Sequence, residues 1–158
     1  MKKIALFYIL NKAEDLKISV CKIIKEYYKK KYKIFVSSRS NDLVNELNNL
    51  LWTFEQISFI PHCTTKNYDK NSPILLSGKD SFPKTVNLKE YDVWLNLDNK
   101  MEENYTDFEI ILEIVSQNEE ERILSRKRYL NYQKMVENYG IGLFLKVVHI
   151  FFSMQQIL

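Results

Sequence analysis

The chain has 158 residues, the length of one domain with a sizeable buried core. Hydrophobic residues make up 46% and charged residues 27%, which excludes a disordered or fibrous chain. The net charge of +3 is small for a dedicated duplex-DNA binder, and two cysteines are too few for a disulfide framework or, without other donors, a four-ligand zinc site.

Apolar runs and capping residues predict alternating strands and helices. A basic start and an apolar run at residues 4–10 predict a first strand; no cleavage site follows, so we expect a cytoplasmic protein without a signal peptide. Apolar residues at steps of three and four predict a helix over residues 13–31. A second helix is predicted to begin at Ser40 or Asn41 and to end near residue 51. A last helix is predicted over residues 118–138, with a capping box formed by Ser116 and Glu119. Further strands are predicted at 33–37, 58–60, 74–77, 93–97 and 110–115.

This element order predicts an α/β fold: a single three-layer domain with a mainly parallel sheet, Rossmann-like but without a nucleotide-binding loop. Residues 143–158 are very apolar, but Lys146 and His149 interrupt them, which favours a packed or partner-contacting tail over a membrane span. We expect no membrane association.

No catalytic, cofactor-binding or metal site can be assembled from the sequence. The first strand-to-helix turn, residues 11–15, has no glycine and carries Glu14 and Asp15, so it does not suit a phosphate. His62 and Cys63 are adjacent in sequence, an awkward geometry for a Cys–His pair, and no set of residues has metal-ligand spacing. The function is therefore expected to reside in binding surfaces.

Three surfaces are candidates, and each has an ordinary structural alternative. Seven lysines between residues 17 and 33, against the single acid Glu26, fit either a solvated helix face or a nucleic-acid patch. The last helix places a basic and aromatic stripe at steps of four, three and four, which suits an acidic peptide with an aromatic end or is simply a solvated face. The aromatic-rich residues 51–62 fit either the core or an exposed interaction site. The stripe consists of Arg122, Arg126, Tyr129 and Gln133.

The stretch Leu-Trp-Thr-Phe-Glu-Gln-Ile-Ser-Phe-Ile-Pro-His at residues 51–62 resembles the signature of the chi subunit of bacterial DNA polymerase III. In that family a Leu-Trp, a short spacer and a Ser-Phe-hydrophobic-Pro-His run follow the second helix. Weaker segments match in order, among them residues 7–10, 95–97, 113–115 and the Arg-Lys-Arg-Tyr at 126–129. The resemblance covers residues 1–142, which we take as the chi-like domain, with 143–158 as a C-terminal tail beyond it.

The resemblance implies an accessory subunit that is not catalytic by itself. It would belong to the polymerase holoenzyme, which as a whole is a DNA-directed nucleotidyltransferase. Chi pairs with the psi subunit, which links it to the clamp loader, and binds the acidic C-terminal tail of the single-stranded-DNA-binding protein. By position, Trp52 and Phe59 match the aromatic residues on the psi-binding side. The predicted tail-binding residues are Arg122, Arg126, Arg128 and Tyr129.

One position departs from the family, and two other functions stay open. After Tyr129 the family can carry a lysine that serves the tail, where this chain has Leu130; Lys127, Arg128 or Lys134 can substitute. The main alternative is direct binding of single-stranded nucleic acid by the lysine-rich helix, whereas a chi subunit contacts DNA mostly indirectly. An enzyme with a degenerate nucleotide site is the third hypothesis.

Overall fold

A computed structural model of the protein describes residues 3–10, 15–55, 59–79, 83–100, 107–139 and 143–149. They form seven strands and three α-helices, with two short 3-10 turns at Thr65–Asn67 and Leu88–Glu90. In chain order the elements are β1 (Lys3–Ile9), α1 (Leu16–Lys29), β2 (Ile34–Ser37), α2 (Asn41–Thr53), β3 (Cys63–Thr64), β4 (Ile74–Ser77), β5 (Val93–Asn96), β6 (Ile110–Val115), α3 (Glu119–Tyr139) and β7 (Leu143–His149).

The described strands make one parallel sheet in the order β3-β4-β2-β5-β6-β1-β7. The central strands are buried on both sides, as their continuous apolar runs predict. Helices α1 and α2 cover one face, where Ile23, Leu47 and Leu51 pack against β2, β4 and β5. The opposite face packs against α3 through Tyr132. The predicted three-layer α/β fold with a parallel sheet is therefore confirmed.

Local capping explains where the helices begin and end. The Asp15 carboxylate caps α1 by accepting from the backbone N–H groups of Lys17 at 2.8 Å and Ile18 at 3.3 Å, and Ser40 caps α2. After α1, Lys31 takes the left-handed conformation with φ of 69°, and the next amide, of Tyr32, donates back to the Tyr27 carbonyl. This arrangement is a Schellman ending, in which glycine is the usual residue at the left-handed position.

Three local predictions differ from the structure. The strand predicted at residues 58–60 is wrong for Phe59 and Ile60, which have no regular secondary structure; Ser58 lies outside the described residues. At α3, Asn118 accepts from the Glu121 amide at 3.2 Å, so the helix is capped by Asn118 and not by Ser116 with Glu119. Asn118 lies two residues nearer the first helical amides than Ser116, which makes it the better placed acceptor.

The third difference is β7, which the sequence analysis left inside an apolar tail. Residues 143–149 pair in parallel with β1, from Lys3 opposite Leu143 to Ile9 opposite His149. They therefore extend the sheet beyond β1, while residues 140–142 and 150–158 lie outside the described residues. In the part of the chain that the structure describes, no helix is long and apolar enough to cross a membrane.

Candidate protein-interaction surfaces

Trp52, Phe59 and His62 form an aromatic patch near the β3 edge of the sheet. Trp52 lies at the end of α2, and the other two lie on the segment that leads into β3. The Trp52 and Phe59 ring centroids are 4.7 Å apart, and the His62 ring meets the Trp52 ring edge-on at 5.1 Å. Trp52 is 55% and Phe59 53% exposed, so the aromatic patch lies outside the core. The sequence pattern left core and surface open for residues 51–62, and only Trp52 and Phe59 were predicted to bind psi.

The aromatic patch is held in place from below. The two His62 ring nitrogens lie 2.7 Å from the Ile60 carbonyl oxygen and 3.1 Å from the Asn48 carbonyl oxygen. The Ile60 side chain is buried in the core, and an ion pair between Lys25 and Glu55 joins the segment after α2 to α1. Since both ring nitrogens face backbone carbonyl oxygens and the ring N–H donates to one of them, His62 is held in a fixed orientation beside Trp52. A rigid, exposed aromatic surface of this kind loses little entropy when a partner covers it.

The predicted stripe on α3 faces outwards over most of its length. Arg122, Arg126 and Gln133 are exposed, and neither arginine side chain makes an ion pair with any residue that the structure describes. Tyr129 is half-buried because its ring packs edge-on against Phe7 of β1, with the centroids 5.3 Å apart. The structure thus brings two exposed guanidinium groups and one anchored aromatic ring onto one face of α3.

Arg128 does not lie on this stripe. It is 4% exposed, and its Nε donates to the Glu113 carboxylate at 3.0 Å while Nη2 donates to Ser125 Oγ at 3.1 Å. Two residues correspond to about 200° around an α-helix, so a side chain two positions after the outward-facing Arg126 must point inwards. Arg128 is therefore not exposed along the stripe with Arg122, Arg126 and Tyr129, and its tail-binding role stays a prediction.

Arg128 instead completes a buried polar network with Glu113 of β6. The Glu113 carboxylate also accepts from Asn96 Nδ2 at 3.0 Å and from the Tyr132 hydroxyl at 2.8 Å. Burial raises the pKa of the Glu113 carboxyl, while the charge of Arg128 and these hydrogen bonds oppose that rise. Because these four residues come from three elements, β5, β6 and α3, the network fixes the rotation of α3 on the sheet. That rotation decides which residues of α3 face solvent.

The lysine-rich segment is largely engaged with other groups. Lys17 pairs with Glu46, Lys25 with Glu55, and Lys30 with Glu26 at 3.3 Å. Lys33 donates to the Lys70 carbonyl at 3.3 Å and lies over the Tyr91 ring. A phosphate-binding surface needs cations that are free to neutralise phosphates. The pairing therefore favours the interpretation of α1 as a solvated face.

Two depressions lie beside these residues, and neither has the features of a catalytic site. A shallow, open depression of about 350 Å³ adjoins Phe59 and His62 and is lined mainly by polar loop residues. A second space of only about 50 Å³ lies at the carboxyl ends of β5 and β6, beside Asn96 and Arg128. No group of three or more His, Cys, Asp or Glu side chains within the described residues is placed to hold a metal ion.

The family of the chain follows from comparison with known proteins. The model of the family described as "DNA polymerase III chi subunit, HolC" matches residues 1–137. The chain belongs to the DNA polymerase III chi subunit family. Chi is an accessory subunit of the polymerase. The matched region extends from β1 almost to the end of α3 and includes both candidate surfaces. No curated protein matches this chi-family chain.

Solved structures support the fold and only the fold. The crystal structure of T4 UvsW matches with a TM-score of 0.58 at 8% identity, over 94% of this chain but only 41% of its own. Domain 2 of the DEAD-box helicase Mss116p, bound to an RNA duplex, matches with a TM-score of 0.55 at 9% identity, over 97% of this chain and 67% of its own. The chi-family chain therefore shares the parallel α/β fold of these two structures.

Proposed function

We propose that this chain is a non-catalytic adapter of the bacterial replicase, working in the cytoplasm. In this proposal the aromatic patch binds the psi subunit and so connects the chain to the clamp loader. The stripe on α3 binds the acidic C-terminal tail of the single-stranded-DNA-binding protein. Contact with DNA is then indirect, through the protein that coats it.

The observation that carries the proposal is the placement of two surfaces of different chemistry on one rigid sheet. The aromatic patch lies at the end of α2, on the α1/α2 side near the β3 edge, whereas the stripe lies on α3, which contacts β6 and β7 on the other face. An adapter needs such a separation, because each partner must bind without displacing the other. The aromatic patch suits an apolar partner, and the stripe suits an anionic one.

The stripe matches the chemistry of a short acidic peptide that ends in an aromatic residue with a free carboxylate. Arg126 can form a bidentate, charge-assisted hydrogen bond with a carboxylate, and Arg122 one turn earlier supplies a second donor. Tyr129, anchored on Phe7, offers a ring that is already ordered. The ion pairs of Lys17, Lys25 and Lys30 support this function over direct binding of single-stranded nucleic acid.

Titration of a labelled tail peptide tests this function. A hydrogen bond to a charged group contributes roughly 1.5–3 kcal/mol, so we expect Arg126→Ala to weaken binding at least about tenfold. Arg126→Lys should recover only part of the affinity, because it keeps the charge but loses the bidentate geometry. Binding should also weaken as salt rises, since the stripe is exposed.

Lys66→Ala is the matched control for this experiment. Lys66 is an exposed cation in the turn after β3, so its removal changes the net charge as Arg126→Ala does but leaves the stripe intact. We expect the control to bind like the wild-type protein. Equal affinity of the wild-type and Arg126→Ala proteins would show that the stripe is a solvated helix face and that the tail binds elsewhere.

A further inference from the structure

Two exposed aliphatic side chains lie where α3 should be most polar. Ile123 and Leu130 are each 52% exposed. The buried side of the helix is defined by Ser125, Arg128 and Tyr132, which are at most 4% exposed. At 100° per residue, Ile123 and Leu130 point almost directly away from that buried side.

The two residues form one apolar strip along the helix. They are seven positions apart, which is nearly two full turns, so their side chains point in almost the same direction about 10 Å apart. Single exposed aliphatic residues are common and need no explanation. Two that align on the outermost line of one helix, in a chain whose other described apolar helix positions mostly face the core, indicate a surface that a partner covers.

Cationic residues flank the strip on both sides. Helical geometry places one basic pair on the side of Tyr129 and another on the far side of the strip. All four side chains are exposed. The nearer pair is Arg122 and Arg126, and the farther pair is Lys127 and Lys134.

We infer that the Ile123–Leu130 strip binds the apolar side chains of the acidic peptide whose carboxylates pair with the flanking cations. This inference rests on the proposed tail-binding function and names the part of that receptor which reads the apolar end of the peptide. About three residues of extended chain span the 10 Å between the two side chains, so a short peptide reaches both. Leu130, where the family can carry a lysine, thereby contributes apolar contact in place of a cation.

Charge and width favour an acidic peptide over other occupants. A second copy of α3 would bring the same four cations against one another across the strip, at a cost in like-charge repulsion. A membrane-binding helix needs a broad apolar face, usually with aromatic residues, whereas this strip is one side chain wide. An acidic peptide satisfies the cations and covers the strip together.

A double-mutant cycle between protein and peptide tests the inference. The probe is the labelled synthetic peptide Asp-Asp-Asp-Leu-Ala-Phe with a free C-terminal carboxylate. A second labelled peptide, with the final Phe changed to Ala, serves as the comparison. We expect Ile123→Gln and Leu130→Gln each to weaken binding of the first peptide about threefold to fivefold, and the double variant at least about tenfold. Changing the peptide's Phe to Ala should cost the wild-type protein about tenfold in affinity but the double variant less than about threefold, because the coupled contact is already lost.

Controls separate this contact from folding and from charge. Leu130→Met should bind within about twofold of wild type, because it keeps an apolar side chain of similar volume. Tyr68→Gln, at an exposed aromatic residue near the β3 edge, should leave peptide binding unchanged. The salt dependence of binding should be the same in the wild-type protein and in the double variant, since the flanking cations remain.

The outcomes distinguish the strip from the function on which it rests. Full affinity in the double variant, or an undiminished penalty for the peptide's Phe-to-Ala change, would overturn the strip; if Arg126→Ala still loses binding, the tail-binding function stands. Absence of peptide binding by the wild-type protein would overturn both. If sedimentation velocity shows a dimer that Leu130→Gln dissociates, the strip binds a second copy and the inference is refuted. If the protein binds vesicles and Leu130→Gln abolishes that binding while peptide binding persists, the strip binds a lipid surface and the inference is also refuted.

Discussion

Replacing Phe59 with Ala separates the binding role of the aromatic patch from a folding role. The Phe59 side chain is 53% exposed, and its ring centroid lies 4.7 Å from that of Trp52 and 6.4 Å from that of His62. A phenylalanine buries about 200 Å² when fully enclosed, so about 100 Å² remains for a partner to cover. At about 25 cal/mol per Å², this area corresponds to about 2.5 kcal/mol, or about seventyfold in the dissociation constant for psi.

The same substitution should cost the folded protein less than a core substitution does. The half of the ring already covered corresponds to an upper limit of about 2.5 kcal/mol, and the exposed site can relax after truncation. Phe35 of β2 is fully buried, and Phe35→Ala should cost about 3–5 kcal/mol, so it is the matched control. Urea unfolding measures both stabilities, and calorimetric titration with the psi subunit of the same organism measures binding.

Two results would refute this account of the aromatic patch. If Phe59→Ala unfolds as readily as Phe35→Ala, the ring belongs to the core in solution and cannot be an exposed contact. If the variant is stable and binds psi with unchanged affinity, the aromatic patch is exposed but is not the psi-binding surface. Only a stable variant with strongly weakened binding agrees with the proposal.

Three further predictions concern stability and are checked by urea unfolding. Arg128→Met should lower the free energy of unfolding by about 3–5 kcal/mol, because it leaves the fully buried Glu113 without its charge partner. Lys31→Gly should raise it by about 0.5–1 kcal/mol, since glycine adopts the left-handed conformation at φ 69° without strain. Lys29→Gly, at the last residue of α1, should lower it by up to about 1 kcal/mol. Burial raises the pKa of the Cys21 thiol from 9.0 to about 12, so its contribution to stability is complete below pH 9 and is lost as pH rises towards 12. The free energy of unfolding should therefore fall by up to about 1.4 kcal/mol per pH unit in this range, and by less in Cys21→Ala.

Each of these predictions has a contradicting outcome. Unchanged stability of Arg128→Met would mean that the buried network does not hold α3. A loss of stability in Lys31→Gly would mean that the left-handed ending of α1 is not formed in solution. An alkaline unfolding profile that is identical in wild type and Cys21→Ala would mean that the thiol ionises as readily in the folded as in the unfolded state.

Most of the fold could be predicted because its signals are local. Continuous apolar runs marked the central strands, and three- and four-residue spacing with nearby capping residues marked the helices. Phe59 and Ile60 have strong strand propensity, yet they form an irregular segment. Ile60 is buried and Phe59 is exposed, the same alternation that a strand shows, so the sequence pattern alone could not exclude a strand. β7 was missed because its apolar run continues into residues 150–154 without a break, although Gly140 and Gly142 precede it, and because its partner β1 lies at the other end of the chain.

The candidate site was harder to predict, because exposure depends on tertiary packing. Spacing placed Arg122, Arg126 and Tyr129 on one stripe, and the structure agrees. The inward turn of Arg128 depends on Glu113, which a distant strand supplies, so no helical periodicity reveals it. The exposed pair Ile123 and Leu130 left a readable signal, an apolar repeat of seven among charged residues, but only the measured burial shows that this repeat faces solvent.

The most direct test of the adapter proposal is a crossed capture experiment with tagged full-length protein in its native cells. We expect the wild-type protein to retain the clamp-loader subunits as well as the single-stranded-DNA-binding protein. A Phe59→Ala protein should lose the clamp-loader subunits and keep the single-stranded-DNA-binding protein, and an Arg126→Ala protein should show the reverse. Loss of both partners in either variant, or retention of both in each, would contradict the claim that two separate surfaces of this chain join the two assemblies.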